Sequence, residues 1–458
     1  MDSESAASIA ARLERLPPGR AMWTRVALLS LGGFFEFYDM FLSAYVGPGL
    51  VKAGILTPAT PGLFGTQGLA GFVAAFFAGL FVGTALFGFV ADRFGRRSIF
   101  TFSLLWYTVA ASVMAFQTTA FGIDLWRFIA GVGIGVELVT IDTYIAELVP
   151  KEVRGRAFAF NQVVTFSAIP AVALLAWLLV PRTVLGLDGW RWVVLAGSAG
   201  ALVVWFIRLA VPESPRWLAH HGRIAEADVI VRRFEAQAAA ESGPLPAPAP
   251  QAVETPRGSF AEIWRPPYLT RTLMLIVFNL FQTVGFYGFS NWVPSFLIKQ
   301  GIAVTTSLGY TFVIAIAAPF GPLLAALFTD RIERKWAIVA AALSVAVFGL
   351  AFAQMREATP LILFGALVTL SNNIMSFSFH AYQAELYPTR VRALAVGFVY
   401  SFSRLSTVFS AFVIAFFLDR FGTPGVFSLI AASMGVVALA IGGFGPKVRN
   451  LSLEEISR

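Results

Sequence analysis

"GFVADRFGRRSIF" (88–100) sets an aspartate and three arginines at the end of a long stretch of Phe, Gly, Ala, Leu and Val, and "ALFTDRIERKWAI" (326–338) repeats nearly the same pattern. The second aspartate, Asp330, lies 238 residues after Asp92. The same offset lays "AELVPKEVRGRAFAF" (146–160) on "AELYPTRVRALAVGF" (384–398) without a gap, with Ala, Glu, Leu, Pro, Val, Arg, Ala and Phe coinciding. The chain is a tandem duplication, and the charged motifs recur at matching places in both copies.

What surrounds those motifs is hydrocarbon. Of 458 residues, 57% are hydrophobic and 13% charged, whereas a soluble domain is about 45–50% apolar and about a quarter charged. Continuous apolar segments long enough to cross roughly 30 Å of bilayer as helices fall near 24–50, 68–91, 98–118, 122–146, 157–180 and 191–211. A second set falls near 270–298, 306–329, 336–354, 360–386, 393–418 and 424–444. They predict an all-α integral membrane protein of twelve spans in two six-helix halves. A transmembrane β-barrel would instead show alternating segments of about ten residues.

The net charge of +8 is explained by topology, because lysine and arginine collect in cytoplasmic loops. With the N-terminus inside, 26 of the 34 Lys and Arg residues fall on the inner side, 6 outside and 2 within spans. Both termini are predicted to be cytoplasmic, and no nucleic-acid partner is implied. The chain has no cysteine, so disulfides, thiolate metal sites and thiol catalysis are excluded. With three histidines and no HExxH, P-loop or GxSxG pattern, an enzyme is not expected. No metal or cofactor is expected either, and His220 and His221 read as an ordinary solvated loop. The N-terminus is too polar for a cleaved signal.

Gly88, Asp92, Arg93, Gly95, Arg96 and Arg97 spell GxxxD(R/K)xGR(R/K), which resembles the loop 2–3 signature of the major facilitator superfamily. The second copy keeps Asp330, Arg331, Arg334 and Lys335 but has Ala326 and Glu333 in place of the glycines. "RFIAGVGIG" (127–135) leading to "AELVPKEVRGR", and "PESPRWL" (212–218), are similar to the sugar-porter and organic-ion branches. The resemblance implies a secondary transporter working by alternating access, with parallel halves and a central path between them. Its expected partners are a small-molecule substrate, protons and the lipid bilayer of a bacterial inner membrane, and it is expected to act as a monomer. The expected organisation is an N-terminal half (1–211), a cytoplasmic linker (212–268) and a C-terminal half (269–458). Within the linker, 223–241 reads as an amphipathic helix and 242–259 as a Pro/Ala-rich disordered stretch.

Two groups of charges follow. At the cytoplasmic ends of spans, Asp92, Arg93, Arg96, Glu147 and Arg154, with Asp330, Arg331, Arg334, Glu385 and Arg392, are expected to pair as a latch that closes the inner mouth. Deep in the spans, a charge costs roughly 2.5–3.5 kcal/mol and marks function. These residues are Glu36 and Asp39 in span 1, Arg127, Glu137 and Asp142 in span 4, and Arg404 in span 11, with His380 in span 10 as a further titratable group. Four acids face two bases, which a proton-binding carboxylate or a cationic substrate would explain.

Sugar/proton symporters have a proton-binding aspartate in a "YD" setting like that of "FFEFYDMF" (34–41) and an arginine opening the span-4 motif. The resemblance therefore implies Asp39 and Arg127 as the coupling pair. At about 1.5 Å per residue, however, Asp39 lies about 21 Å from Arg25 and Arg127 about 34 Å from Pro150, which argues against direct contact. Glu137, about 20 Å from Pro150, competes as the carrier.

Arg404 in "SFSRLST" (401–407) sits in a pattern similar to organic-ion and niacin-type transporters. Its guanidinium fork suits a substrate carboxylate; an ion pair with a surplus acid is the alternative. Asn279, Gln282, Tyr287, Asn291 and Trp292 of span 7, Asn373 and His380 of span 10, and Asn161 and Gln162 of span 5 resemble cavity-lining groups of sugar porters, although single polar residues can instead bridge helices. Small residues at 71, 75, 79 and 83, and Gly131 with Gly135, read as packing stripes. The expected function is proton-coupled uptake of a small polar metabolite, with an organic acid ahead of a sugar or an organic cation. A drug/proton antiporter is disfavoured because span 5 lacks GxxxGPxxGG.

Overall fold

Inside hydrocarbon every backbone N–H and C=O must be bonded within the chain, and helices satisfy this segment by segment. The computed structural model describes residues 2–87, 94–137, 140–208, 211–248, 259–328 and 331–448. Ten of its helices are long and apolar enough to cross a bilayer. Helix Arg96–Met114 is an eleventh span, and it exposes Phe102, Trp106 and Val109 on its outer face. The helix Thr389–Phe444 counts as two, because Gly422 breaks it at φ 65° and ψ −167°, a conformation open to glycine, two residues before Pro424. Each of the twelve predicted segments falls on one of these helices, so the chain is an all-α bundle of twelve spans.

In chain order, spans 1 to 3 are Arg20–Lys52, Gly68–Phe87 and Arg96–Met114. Span 4 comprises Ala120–Glu137 and Thr140–Leu148, span 5 Lys151–Phe166 and Ala168–Leu179, and span 6 Gly189–Arg208. Span 7 is Tyr268–Ser290, span 8 is Val304–Ala315 with Phe320–Phe328, and spans 9 and 10 are Arg334–Gln354 and Ala358–Glu385.

Proline accounts for the break in span 8. Pro319 and Pro322 cannot donate to the carbonyls four residues before them. The Ala318 carbonyl, which Pro322 leaves open, instead accepts from Asn373 Nδ2 at 2.9 Å. Asn373, expected in a substrate cavity, lines a small cavity with Tyr45 and Ile169 and also serves the broken helix, whose Ala318 carbonyl accepts from the Gly321 N–H at 3.4 Å as well.

The small-residue stripes of spans 2 and 4 lie face to face. A Cβ on Gly79 would come within 2.0 Å of the Phe128 carbonyl oxygen, and one on Gly83 within 2.2 Å of that of Val132. Gly131 and Gly135 would collide in the same way with the carbonyls of Phe76 and Leu80. Each helix therefore presses its glycines onto the other's backbone, the close approach that small residues permit.

A second, smaller core forms where the N-terminal helix Asp2–Glu14 and helices Pro215–His220 and Ile224–Ser242 meet the end of span 4. Ile9, Leu13 and Leu16 pack there against Leu148, Trp217, Val231 and Phe234. The amphipathic helix expected over 223–241 is present, burying Ala227, Val231, Phe234 and Ala238. The Pro/Ala-rich stretch lies mostly outside the described residues. The N-terminal segment, unassigned from sequence, is a helix pinned by ion pairs of Arg12 to Asp228 and Glu235, both at 2.6 Å. We call this the basic end of the bundle.

Candidate functional site

Span 1 brings Asp39 against Arg127 of span 4, and the two form a buried ion pair. Arg127 Nη1 lies 2.8 Å from Asp39 Oδ2, Nη2 donates to the Asp39 carbonyl at 2.5 Å, and Nε donates to Ser43 Oγ at 3.2 Å. The guanidinium also sits 4.1 Å from the Phe76 ring centroid. The depth argument against this contact fails because it treated both helices as upright and started both counts at one level. A buried pair survives only when its remaining hydrogen bonds are filled, and here three of the guanidinium nitrogens are engaged.

Below this pair, towards the basic end, the halves separate around a cavity of about 220 Å³. It takes in Glu36, Asp142, Asn161, Gln162, Tyr287, His380 and Arg404 from the expected set. Arg404 Nη1 donates to Tyr287 Oη at 2.6 Å and Nη2 to Tyr400 Oη at 3.0 Å. Its Nε has no hydrogen-bond partner among the described residues. Beside these two neutral hydroxyls, Glu36, one of the surplus acids weighed as a partner for Arg404, is near enough to act on it electrostatically. Asn161 Nδ2 donates to Asp142 Oδ1 at 3.3 Å, and His380 Nδ1 meets the Ser376 carbonyl at 2.7 Å. Phe37, Phe166 and Phe286 add aromatic surface to the lining.

Other expected residues lie elsewhere. Asn279 Nδ2 bonds its own helix at the Leu275 carbonyl, 2.9 Å away. Gln282, Asn291 and Trp292 are buried but do not line this cavity. Glu137 closes the first helix of span 4, and its side chain is outside the described set, as are Asp92, Arg93 and Asp330. Tyr400 was missed from sequence, although its position four residues before Arg404 puts both on one helix face.

Away from the basic end the halves touch. The Tyr287 ring lies 4.7 Å from that of Phe77, edge to face, and 6.4 Å from that of Phe41. Further out, Trp177 of span 5 stacks on Phe312 of span 8 at 5.8 Å. On this side the cavity is closed off by aromatic rings from both halves.

The expected latch residues pair within halves. Arg96 meets Glu147 at 3.3 Å, and the equivalents 238 residues on, Arg334 and Glu385, also pair. Arg154 bonds Glu14 of the N-terminal helix at 3.1 Å, and Arg392 Nε donates to the Tyr387 carbonyl at 3.3 Å. Arg331 is exposed. Among the described residues these pairs fall within each half. Glu213 of "PESPRWL" accepts from the backbone N–H groups of Arg96 and Arg97 at 3.0 and 3.1 Å, capping span 3. A Cβ on Gly95 would fall 2.3 Å from its Oε2.

Twelve spans, a central polar cavity between two halves and a seal on one side define a secondary transporter of the major facilitator type rather than an enzyme. The chain belongs to the sugar (and other) transporter family, which it matches over residues 26–458. It is 30% identical over 461 residues to the inner membrane metabolite transport protein YdjE of Escherichia coli, covering 98% of each chain. It is 28% identical over 449 residues to the niacin transporter NiaP of Acinetobacter baylyi, covering 98% of this chain and 99% of that one. Its fold matches the xylose transporter XylE of E. coli in a partially occluded inward-open conformation, with TM-score 0.74 at 21% identity over 94% of this chain and 99% of the other.

Proposed function

We propose that the protein imports a small organic acid together with protons across a bacterial inner membrane, with both termini in the cytoplasm. The observation that carries this reading is Arg404, a cation in the central cavity whose described hydrogen-bond partners are two tyrosine hydroxyls. A substrate carboxylate can take the guanidinium fork in their place or alongside them. The relative named as a niacin transporter, whose substrate is a pyridinecarboxylic acid, agrees with this choice. Halves bounded near 211 and 269 rock about the cavity, and the basic end is the cytoplasmic mouth.

Coupling runs through Asp39 and Arg127. In this reading the cycle starts with the carboxylate paired to Arg127 and proton-free. When the bundle opens the other way, separation of the pair lets Asp39 take a proton. On return Arg127 displaces it, because an opposite charge favours the ionised carboxylate. A second reading, a sugar or polyol porter, is favoured by the amides Asn161, Gln162 and Gln383 along the cavity.

Uptake into proteoliposomes under an imposed pH gradient separates the two. Labelled monocarboxylates should accumulate and labelled hexoses should not, and Arg404→Ala should abolish acid uptake. Hexose accumulation unaffected by Arg404→Ala would reverse the assignment.

A further inference from the structure

The central cavity holds a hydrogen-bond acceptor as well as a cation. His380 of span 10 is half-buried and lines the same space as Arg404, with its Nδ1 2.7 Å from the carbonyl of Ser376, one turn earlier on its own helix. A carbonyl oxygen can only accept, so the ring carries a proton on Nδ1. The described neighbours of the imidazole are the rings of Phe379 and Tyr400, 5.5 and 5.4 Å away between centroids, and the Arg404 guanidinium, near enough to act on it electrostatically. None of these is an acid that would hold the ring as a cation, and an imidazole is mostly neutral at pH 7. With the Nδ1 edge turned to its own helix, the ring therefore offers the cavity a lone pair on Nε2, which has no partner among the described residues.

Tyr400 places this lone pair near the cation. Arg404 lies 4.8 Å from the centroid of the Tyr400 ring and donates to its hydroxyl at 3.0 Å, so the guanidinium and the imidazole adjoin one side chain, within reach of a single small molecule. Gln383, one turn on from His380, is buried and lines the same cavity, and its Oε1 also has no hydrogen-bond partner among the described residues.

Resting on the acid reading above, we infer that the substrate is a hydroxylated ring acid, with its carboxylate on Arg404 and its hydroxyl donating to His380 Nε2. Phe37, Phe166 and Phe286 give the ring an aromatic wall to pack on. The same lone pair selects against a pyridinecarboxylate, because a pyridine nitrogen is itself an acceptor and no proton lies between the two. At this point the chain parts from the relative named for niacin.

The test uses ring acids that differ only in the donor: 3-hydroxybenzoate against 3-fluorobenzoate, and 4-hydroxybenzoate against 4-fluorobenzoate, with nicotinate as the acceptor-bearing ring. Binding to the purified full chain in detergent at pH 7 is read by isothermal titration and by ligand-induced thermal shift. At least one hydroxybenzoate should bind about fivefold or more tightly than its fluoro partner, the worth of a neutral hydrogen bond, and more tightly than nicotinate. His380→Phe should bring that ratio close to one, and a ratio unchanged in a folded His380→Phe chain overturns the assignment of the acceptor. Equal or reversed affinities at both ring positions, or no binding by either hydroxybenzoate, overturn the inference, and because this comparison is made on the wild-type chain, a poorly folding variant does not weaken it. If the fluorobenzoates or nicotinate bind as tightly and Arg404→Ala abolishes them, the acid reading stands and the hydroxyl falls. If a hexose binds and none of the five ring acids does, both fall.

Discussion

Removing Arg127 would strand Asp39, and the size of that effect can be worked from the contacts. Asp39 is sealed among spans 1, 2 and 4, and Arg127 supplies the cation at 2.8 Å. Breaking a buried pair by deleting one partner costs about 3–5 kcal/mol, because the surviving charge is left without compensation. Arg127→Gln should therefore be strongly destabilising. Asp39→Asn should be milder, since the guanidinium keeps the Asp39 carbonyl, Ser43 and the Phe76 face. The double variant holds two neutral amides where an ion pair stood and should regain about 2–3 kcal/mol of the loss expected from adding the single effects. Thermal denaturation of the purified protein in detergent gives the order: wild type highest, the double variant above Arg127→Gln. Additive single effects, or an Arg127→Gln midpoint equal to wild type, would refute the idea that this pair is a mutually dependent buried unit.

Three further outcomes follow from the geometry. Arg404→Lys should weaken acid binding at least tenfold, because a single ammonium cannot reach both tyrosine hydroxyls as the planar fork does; isothermal titration measures it, and unchanged affinity would remove Arg404 from the site. Gly83→Val should abolish folded protein in the membrane, since even a Cβ there meets the Val132 carbonyl at 2.2 Å; size-exclusion profiles of a fluorescent fusion report it, and a wild-type profile would show that spans 2 and 4 can separate. At the basic end, burial alone would raise the Glu14 carboxyl. The hydrogen bonds from the Lys151 N–H and Arg216, with the charges of Arg216 and Arg154, outweigh burial and hold it below its usual 4.5. Its folded form thus binds a proton less readily than the unfolded chain, so its stabilisation is present above about pH 4.5 and is lost as pH falls through the lower folded value. Protection of the Asp2–Glu14 amides from hydrogen exchange, taken relative to the intrinsic rate at each pH, should fall below pH 4.5, and Glu14→Gln should show the low protection at neutral pH; unchanged protection in that variant would contradict the clasp.

Much of the fold could be read from the chain because bilayer physics acts on long windows. Twelve apolar runs and a 238-residue repeat gave span number and symmetry, and the glycine stripes gave a contact. The site was harder. Depth counting placed Asp39 and Arg127 at different levels, since helix tilt does not appear in residue number. Asn373 looked like a cavity amide, and only the placement of span 10 beside the Pro322 break shows which carbonyl it serves. The latch charges were recognised as a set, but which partner each takes depends on whether the mouth is open. Asp124, buried at the start of span 4 with Oδ2 accepting from the Leu63 N–H at 3.2 Å, was passed over because it sits at a span boundary where an acid reads as solvated.

The carbonyl-to-glycine meshing of spans 2 and 4 also bears on which part of the machine moves. Two rods notched together at four points have no slack for sliding, so span 4 cannot carry Arg127 away from its carboxylate by shifting along its neighbour. Any parting of the two charges falls to span 1, whose neighbours press on it with side chains that can re-rotamerise. In the cycle proposed above, the notched pair would be the stator of the N-terminal half, and the helix that bears Glu36 and Asp39 the rotor.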